Sequence, residues 1–109
     1  MEKDISPRER MLIQGAGALK DVELLAILIG NGPHGKTAYD VAVDLLDLAG
    51  DDLNELGKLL PEGYALISGI GYARATVLTA AMEIGRRRMA SIRPKTNKIL
   101  SSRDVFLRF

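Results

Sequence analysis

The stretch that decides the fold is LISGIGYARA, residues 66–75. Two glycines flank one isoleucine, and a long helical pattern begins directly after them. Gly69 and Gly71 can adopt backbone conformations that let another backbone come close, and Ile70 between them can anchor the turn in a core. The helix that follows directs its first unpaired N–H groups and the positive end of its dipole outward. This arrangement predicts an anion site, and phosphate is the anion that it favours.

This stretch resembles the helix-hairpin-helix DNA-binding motif. In that motif an apolar helix is followed by Gly, a hydrophobic residue and Gly, and then by three residues and a small one. Ala75 occupies the position of the small residue here, and Arg74 precedes it. A helix that stops before another starts would also account for the glycines, but the Ala75 spacing and Arg74 favour the DNA-binding interpretation. Tyr72 stands where the motif commonly has proline, so we expect a less preorganised turn.

The composition describes one small domain with an aliphatic core. The 109 residues are 47% hydrophobic and 5% aromatic, so base stacking on aromatic side chains is a poor candidate mechanism. The sequence has no cysteine and one histidine, His34, which excludes disulfides and Cys- or His-rich metal sites. It contains no signal peptide and no apolar run long enough to span a bilayer. We therefore expect a cytoplasmic protein without a membrane partner.

The charge is divided unevenly along the chain, although the net charge is only +1. Residues 1–63 carry 6 Lys or Arg and 12 Asp or Glu, whereas residues 64–109 carry 9 Lys or Arg and 2 Asp or Glu. A basic part next to an acidic part predicts one face that binds an anionic partner. The same division is also expected if the two parts attract each other within the fold, or if the basic tail is a solvated linker.

Hydrophobic periodicity predicts an all-α fold, a compact bundle of about five helices that contains the hairpin. Ser6, Pro7 and Glu9 have the pattern of a capped helix start. The leucine-rich run 21–29 favours a buried helix over a buried strand, because the chain offers no partner strands. The predicted helices run from Pro7 to a stop at Gly15, over 21–29, over 36–49, over a short segment near 53–60 and over 72–90, with one helical turn at 61–66.

A second motif, GNGPHGKT at residues 30–37, matches the phosphate-binding loop of nucleotide hydrolases. An apolar run precedes it and a helix follows it, as that loop requires. The chain lacks the alternating strands of a parallel sheet and an Asp placed to hold magnesium, which argues against a nucleotide site.

The same stretch is also compatible with a second, degenerate hairpin. Gly30, Gly32 and Ala38 echo the spacing of the first hairpin with one extra residue. Lys36 and Thr37 would then be secondary phosphate contacts on DNA. A plain loop between two helices accounts for the pattern equally well, so both interpretations stay open.

The last predicted helix ends in three arginines, Arg86, Arg87 and Arg88. Cations suit the C-terminal end of a helix dipole, and the same side chains could contact further phosphates, so both roles stay open. At 1.5 Å per residue the cluster lies about 20 Å from the turn. We predict that residues 1–91 form the helical domain and that residues 92–109 are a basic linker and the start of a domain missing from this chain.

Several segments in combination resemble the RadC family, also called UPF0758. They are PRERML (7–12), DVELLAILI (21–29) with the following GKT (35–37), ISGIGYARA (67–75) and EIGRR (83–87). The resemblance implies a helix-hairpin-helix-like N-terminal domain with a link to DNA repair. It also implies a C-terminal JAB/MPN domain with a zinc site of His and Asp, whose motifs have no counterpart here.

We therefore expect a non-catalytic module that binds double-stranded or branched DNA without sequence preference, weakly and in a salt-sensitive way. It would have no cofactor and no metal. The expected phosphate contacts are Gly69, Ile70, Gly71 and Arg74, with Lys36, Thr37, Arg86 and Arg87 as secondary ones. The alternative is a protein-interaction or regulatory module for the missing domain, favoured by the near-zero net charge and by an acidic stripe of Asp40, Asp44 and Asp47.

Overall fold

The computed structural model describes residues 5–33 and 35–92 of the chain. Within this part the backbone forms six α-helices, one short 3-10 turn at Ala16–Ala18 and no strand. The helices are α1 (Pro7–Gln14), α2 (Asp21–Ile29), α3 (Ala38–Leu48), α4 (Leu53–Leu56), α5 (Pro61–Tyr64) and α6 (Tyr72–Ala90). The predicted all-α class is confirmed. The described part has six helices where about five were predicted, because the helical turn that begins at Pro61 forms a separate short helix, α5. The linker predicted at residues 92–109 lies outside the described residues except for Ile92.

Local capping fixes several helix starts, and the cap predicted at Ser6 is confirmed. Ser6 Oγ accepts a hydrogen bond from the Glu9 N–H, and the Glu9 carboxylate accepts one from the Ser6 N–H. Asp52 caps α4 by accepting from the Asn54 N–H at 2.8 Å. Each such cap satisfies N–H groups that would otherwise have no partner and contributes about 1 kcal/mol.

The core lies where α2 and α3 pack against each other and α6 crosses them. Ile29 of α2, Val41 and Leu45 of α3, and Leu78 of α6 are all fully buried. Burial of each large aliphatic side chain contributes roughly 1.5–3 kcal/mol relative to exposure. Helical spacing puts Ala75, Leu78, Met82, Gly85 and Met89 on one face of α6, but only the first part of this face meets the core. Its burial fades after Met82, because the last two turns of the helix extend past the core.

Two polar contacts hold the shorter elements to this core. The hydroxyl of fully buried Tyr64 donates to the Leu56 carbonyl at 2.8 Å, and burial raises the pKa of this tyrosine above its ordinary value. Glu23, only 7% exposed, accepts from Arg10 Nη2 at 2.6 Å and from the Lys20 N–H at 2.8 Å. This carboxylate both starts α2 and holds α1, which itself buries no residue. None of the helices in the described ranges has the length and apolarity needed to cross a membrane.

Candidate phosphate-binding turn

The turn between α5 and α6 uses the conformational freedom of glycine, a positive φ, at Gly69 but not at Gly71. Gly69 has a φ of +101°, in the left-handed region that side chains other than that of glycine rarely adopt. Ile70 is 4% exposed, so its side chain anchors the turn in the core as expected. Gly71 has extended backbone and is the N-cap of α6. The buried Ile70 side chain therefore holds the turn against the core, while both glycines of the turn are exposed.

The three residues of the turn are not equivalent as donors. The Ile70 N–H already donates to the Ile67 carbonyl at 3.0 Å, and this bond closes the turn. Ile70 therefore acts as an anchor in this structure, with its N–H occupied. The first N–H groups of a helix have no intrahelical acceptor, which adds Tyr72 and Ala73, both exposed, to Gly71 as donors at the tip of α6. Tyr72 and Ala73 could have been predicted as donors from the sequence, because the first N–H groups of any helix lack intrahelical acceptors.

The N-terminus of α6 differs from the starts of the other described α-helices. Each of α1 to α5 has at least one acidic residue in its first turn, and α6 has none. The N-cap of α6 is glycine, and no side chain caps it. A helix of 19 residues carries roughly half a positive charge at this end. The tip is therefore exposed, electropositive and open to an external anion.

Arg74 does not extend freely into solvent beside this tip. The side chain is half-buried, and Nη1 donates to the Leu28 carbonyl at 3.4 Å, while the guanidinium lies over Gly30. Leu28 is in the last turn of α2, where carbonyls lack intrahelical partners and a cation is favourable. Arg74 thus joins the start of α6 to the end of α2.

The two glycine-containing loops are packed against each other. A Cβ added to Gly69 would lie 2.7 Å from Pro33 Cδ and 3.0 Å from Val41 Cγ2. Gly30 has a φ of +83°, so both loops use a left-handed glycine after a helix. Sequence reasoning missed Pro33, whose contact with Gly69 links two loops far apart in the chain. Packing of the two loops against each other is compatible with the degenerate-hairpin interpretation. The helices that follow the loops, α3 and α6, nevertheless start in chemically different ways.

The start of α3 is closed by its own side chains. Thr37 Oγ1 accepts from the Asp40 N–H at 3.0 Å, and the Asp40 carboxylate accepts from the Thr37 N–H. The Lys36 ammonium forms an ion pair with Asp44. Both secondary candidates on this loop are therefore already engaged. The run before the loop is a helix, α2, so the strand that a nucleotide hydrolase loop follows is not present at this point.

The arginine cluster is held by one carboxylate. Glu83 accepts two bonds from Arg86, at 3.0 and 2.8 Å, and one from Arg87 Nε at 2.8 Å. These bonds lower the pKa of Glu83 from its ordinary value to about 2. The geometry accounts for the two arginines as partners along one helix face, and their remaining donors stay exposed. No group of His, Cys, Asp or Glu in the described ranges has the arrangement of a metal site.

Glu83→Gln is expected to flatten the acid dependence of stability. A carboxylate with a lowered folded-state pKa stabilises the fold above its unfolded pKa, and this contribution is lost as pH falls toward the folded value. For Glu83 that window runs from pH 4.5 down to about 2. The thermal midpoint of the wild type should therefore fall more steeply across the window than that of the variant. Glu62→Gln, at an exposed position in α5, is the matched control. Equal profiles for Glu83→Gln and the wild type would contradict the ion-pair geometry.

Comparison with known proteins identifies the family to which this chain is similar. Residues 1–76 match the family model described as UPF0758 N-terminal. Curated proteins named UPF0758 protein include one from Flavobacterium johnsoniae, 40% identical over 104 residues, and one from Rubrobacter xylanophilus, 41% identical over 102 residues. A third, from Staphylococcus haemolyticus, is 42% identical over 105 residues. No solved structure matches the chain.

These alignments also define how much of each relative is covered. They include 95%, 94% and 96% of this chain, but only 45%, 44% and 46% of the three relatives. The chain therefore spans less than half the length of the curated relatives that it matches. The match to the family model and the identity over nearly the whole chain establish that this protein belongs to the UPF0758 family, the family of RadC proteins.

Proposed function

We propose that this chain is a non-catalytic DNA-binding module that holds a backbone phosphate at the N-terminus of α6. The observation that carries the proposal is the open tip of that helix, with a glycine N-cap, no side-chain cap and no acidic residue in its first turn. A phosphate there would accept hydrogen bonds from the N–H groups of Gly71, Tyr72 and Ala73 and would complement the helix dipole.

Contacts of this kind position a protein on DNA without reading its sequence. Phosphate is the same at every base pair, so binding through a helix tip has no sequence preference. The number of contacts is small, so affinity is weak and falls with salt as counterions are released. The proposal places this activity in the cytoplasm. The RadC resemblance links it to DNA repair, with double-stranded or branched DNA as the ligand.

The test is a titration of the chain with a labelled duplex and with a four-way junction of the same total length, each at two salt concentrations. The proposal expects binding to both at low salt, with an affinity that falls as salt rises. Tighter binding to the junction would support a repair role. No binding to either ligand at low salt would overturn the proposal and favour the alternative, a protein-interaction module.

Arg74→Ala is expected to change both binding and stability. Only Nη1 of Arg74 is bound to the Leu28 carbonyl, and if its other guanidinium N–H groups contact a phosphate, loss of that contact should reduce the salt slope of DNA binding by about one unit. The variant also removes the donor to the Leu28 carbonyl, which should destabilise the fold by about 1 kcal/mol. Salt titrations and urea denaturation measure the two effects separately. A lower stability with an unchanged slope would assign Arg74 to the fold alone.

A further inference from the structure

An open groove lies between α4 and the C-terminal half of α6. Its volume is about 620 Å³. Leu53, Met82 and Met89 provide apolar walls, and Gly85 leaves open space where another residue would carry a Cβ. Methionine side chains adapt to the shape of an incoming partner, and a groove of this kind is a common docking site.

The helix end that borders this groove is more apolar than a solvent-facing helix end requires. Met89 and Ile92 are 66% and 60% exposed. Met89 lies on the part of α6 that extends past the core, and Ile92 follows the end of that helix, one turn from Met89 in the groove wall. Exposed apolar side chains concentrated at one place indicate a surface that another protein element covers.

The family comparison indicates which element that is. The matching family model is an N-terminal one and ends at residue 76, whereas α6 continues to Ala90. The three relatives have more than half of their length outside the region that this chain covers. The remainder of these relatives belongs to the same chain, and a part of one chain tethered by a short flexible linker has an effective concentration on the order of millimolar at a neighbouring surface.

We propose that the groove between α4 and α6 docks the C-terminal part of full-length UPF0758 proteins. Its docking face would be apolar at the centre, opposite Met82 and Met89, and acidic at the edge. Among the charged residues that line the groove, Lys58 and Arg86 outnumber Glu83. The surface is distinct from the N-terminal tip of α6, so it does not depend on DNA binding.

The test compares hydrogen exchange in two proteins. One is this chain alone, and the other is the Flavobacterium johnsoniae relative with its matched N-terminal part replaced by this chain. Docking should slow exchange of the amides in residues 53–58 and 81–90 at least tenfold in the longer protein. Exchange of the amides in α2 and α3 should be the same in the two proteins, which shows that the helical domain is equally folded in both.

Met89→Asp in the longer protein should abolish this slowing, because it places a charge in the apolar centre of the groove. Leu12→Asp is the matched control, since Leu12 is 86% exposed on α1, away from the groove. Exchange that is equal in the two proteins would overturn the proposal. Slowing that appears in this chain alone as its concentration rises would also overturn it, because the occupant would then be a second copy. Neither outcome bears on the DNA titration.

Discussion

Gly71→Asp is expected to weaken DNA binding about 10- to 100-fold while leaving the stability of the chain unchanged or slightly higher. Gly71 has a φ of −85° and a ψ of −177°, which any residue can adopt, and an added Cβ would contact nothing within 4 Å. Aspartate is a favoured N-cap, whose carboxylate accepts from the N–H of the second or third residue of the helix. It would occupy the site proposed for the phosphate.

The size of the effect follows from two contributions. The cap removes donors from the anion site, and the new charge repels the phosphate. Two unit charges of the same sign about 4 Å apart repel by about 4 kcal/mol at an effective dielectric of roughly 20, and solvent and salt reduce this at an exposed site. A loss of about 1.4–2.8 kcal/mol in binding free energy, which is 10- to 100-fold, is therefore expected. Fluorescence titration with duplex DNA at low salt measures it.

Two controls separate the site from the general charge of the protein. Gly71→Ser supplies a neutral cap at the same place, so its effect should be only a few-fold. Gly17→Asp makes the same change of charge at an exposed glycine in the 3-10 turn, where an added Cβ has open space. If Gly71→Asp and Gly17→Asp weakened binding equally, the helix tip would not be the phosphate site.

Gly69→Ala is expected to destabilise the chain by about 2–5 kcal/mol. The residue has a φ of +101°, and an L-residue in left-handed backbone costs roughly 1–2 kcal/mol. The added methyl group would lie 2.7 Å from Pro33 Cδ and 3.0 Å from Val41 Cγ2. Overpacking of this kind typically costs a further 1–3 kcal/mol, roughly. The proline ring is stiff and Val41 is fully buried, so relief by small side-chain movements is limited.

Urea denaturation of Gly69→Ala and Gly71→Ala measures the difference between the two glycines. Gly71→Ala should cost less than about 1 kcal/mol, because its backbone is unstrained and the site is open. Similar losses for both variants would mean that the Gly69 turn does not pack on Pro33 as described. The comparison also separates the structural role of Gly69 from the proposed binding role of Gly71.

Much of the secondary structure could be predicted because its causes are local. The bounds of α2 and α6 agree with the predicted 21–29 and 72–90 to the residue. Ser6 and Glu9 form the expected capping box. Helix periodicity and caps involve residues at most a few positions apart, so they can be recognised without knowledge of the fold.

The site was less predictable because its details depend on distant residues. Arg74 is directed to the Leu28 carbonyl, 46 residues away in the chain. Lys36 pairs with Asp44, a residue that the sequence placed in an acidic stripe of α3. The hydrogen bond from the Ile70 N–H to the Ile67 carbonyl could not be predicted either, because it depends on the path of the backbone through the turn. These contacts depend on how α2, α3 and α6 pack, which periodicity alone does not give.

The sequence by itself determined the all-α class, the main helix bounds, the glycine-flanked turn and membership in the UPF0758 family. It did so because side-chain spacing, caps and glycine positions are properties of short segments. Only the tertiary structure decided which N–H groups stay open at α6, that Pro33 lies on Gly69, and that Arg74 faces α2. The physical reason is that a donor or a charge is free only when no other segment of the folded chain satisfies it.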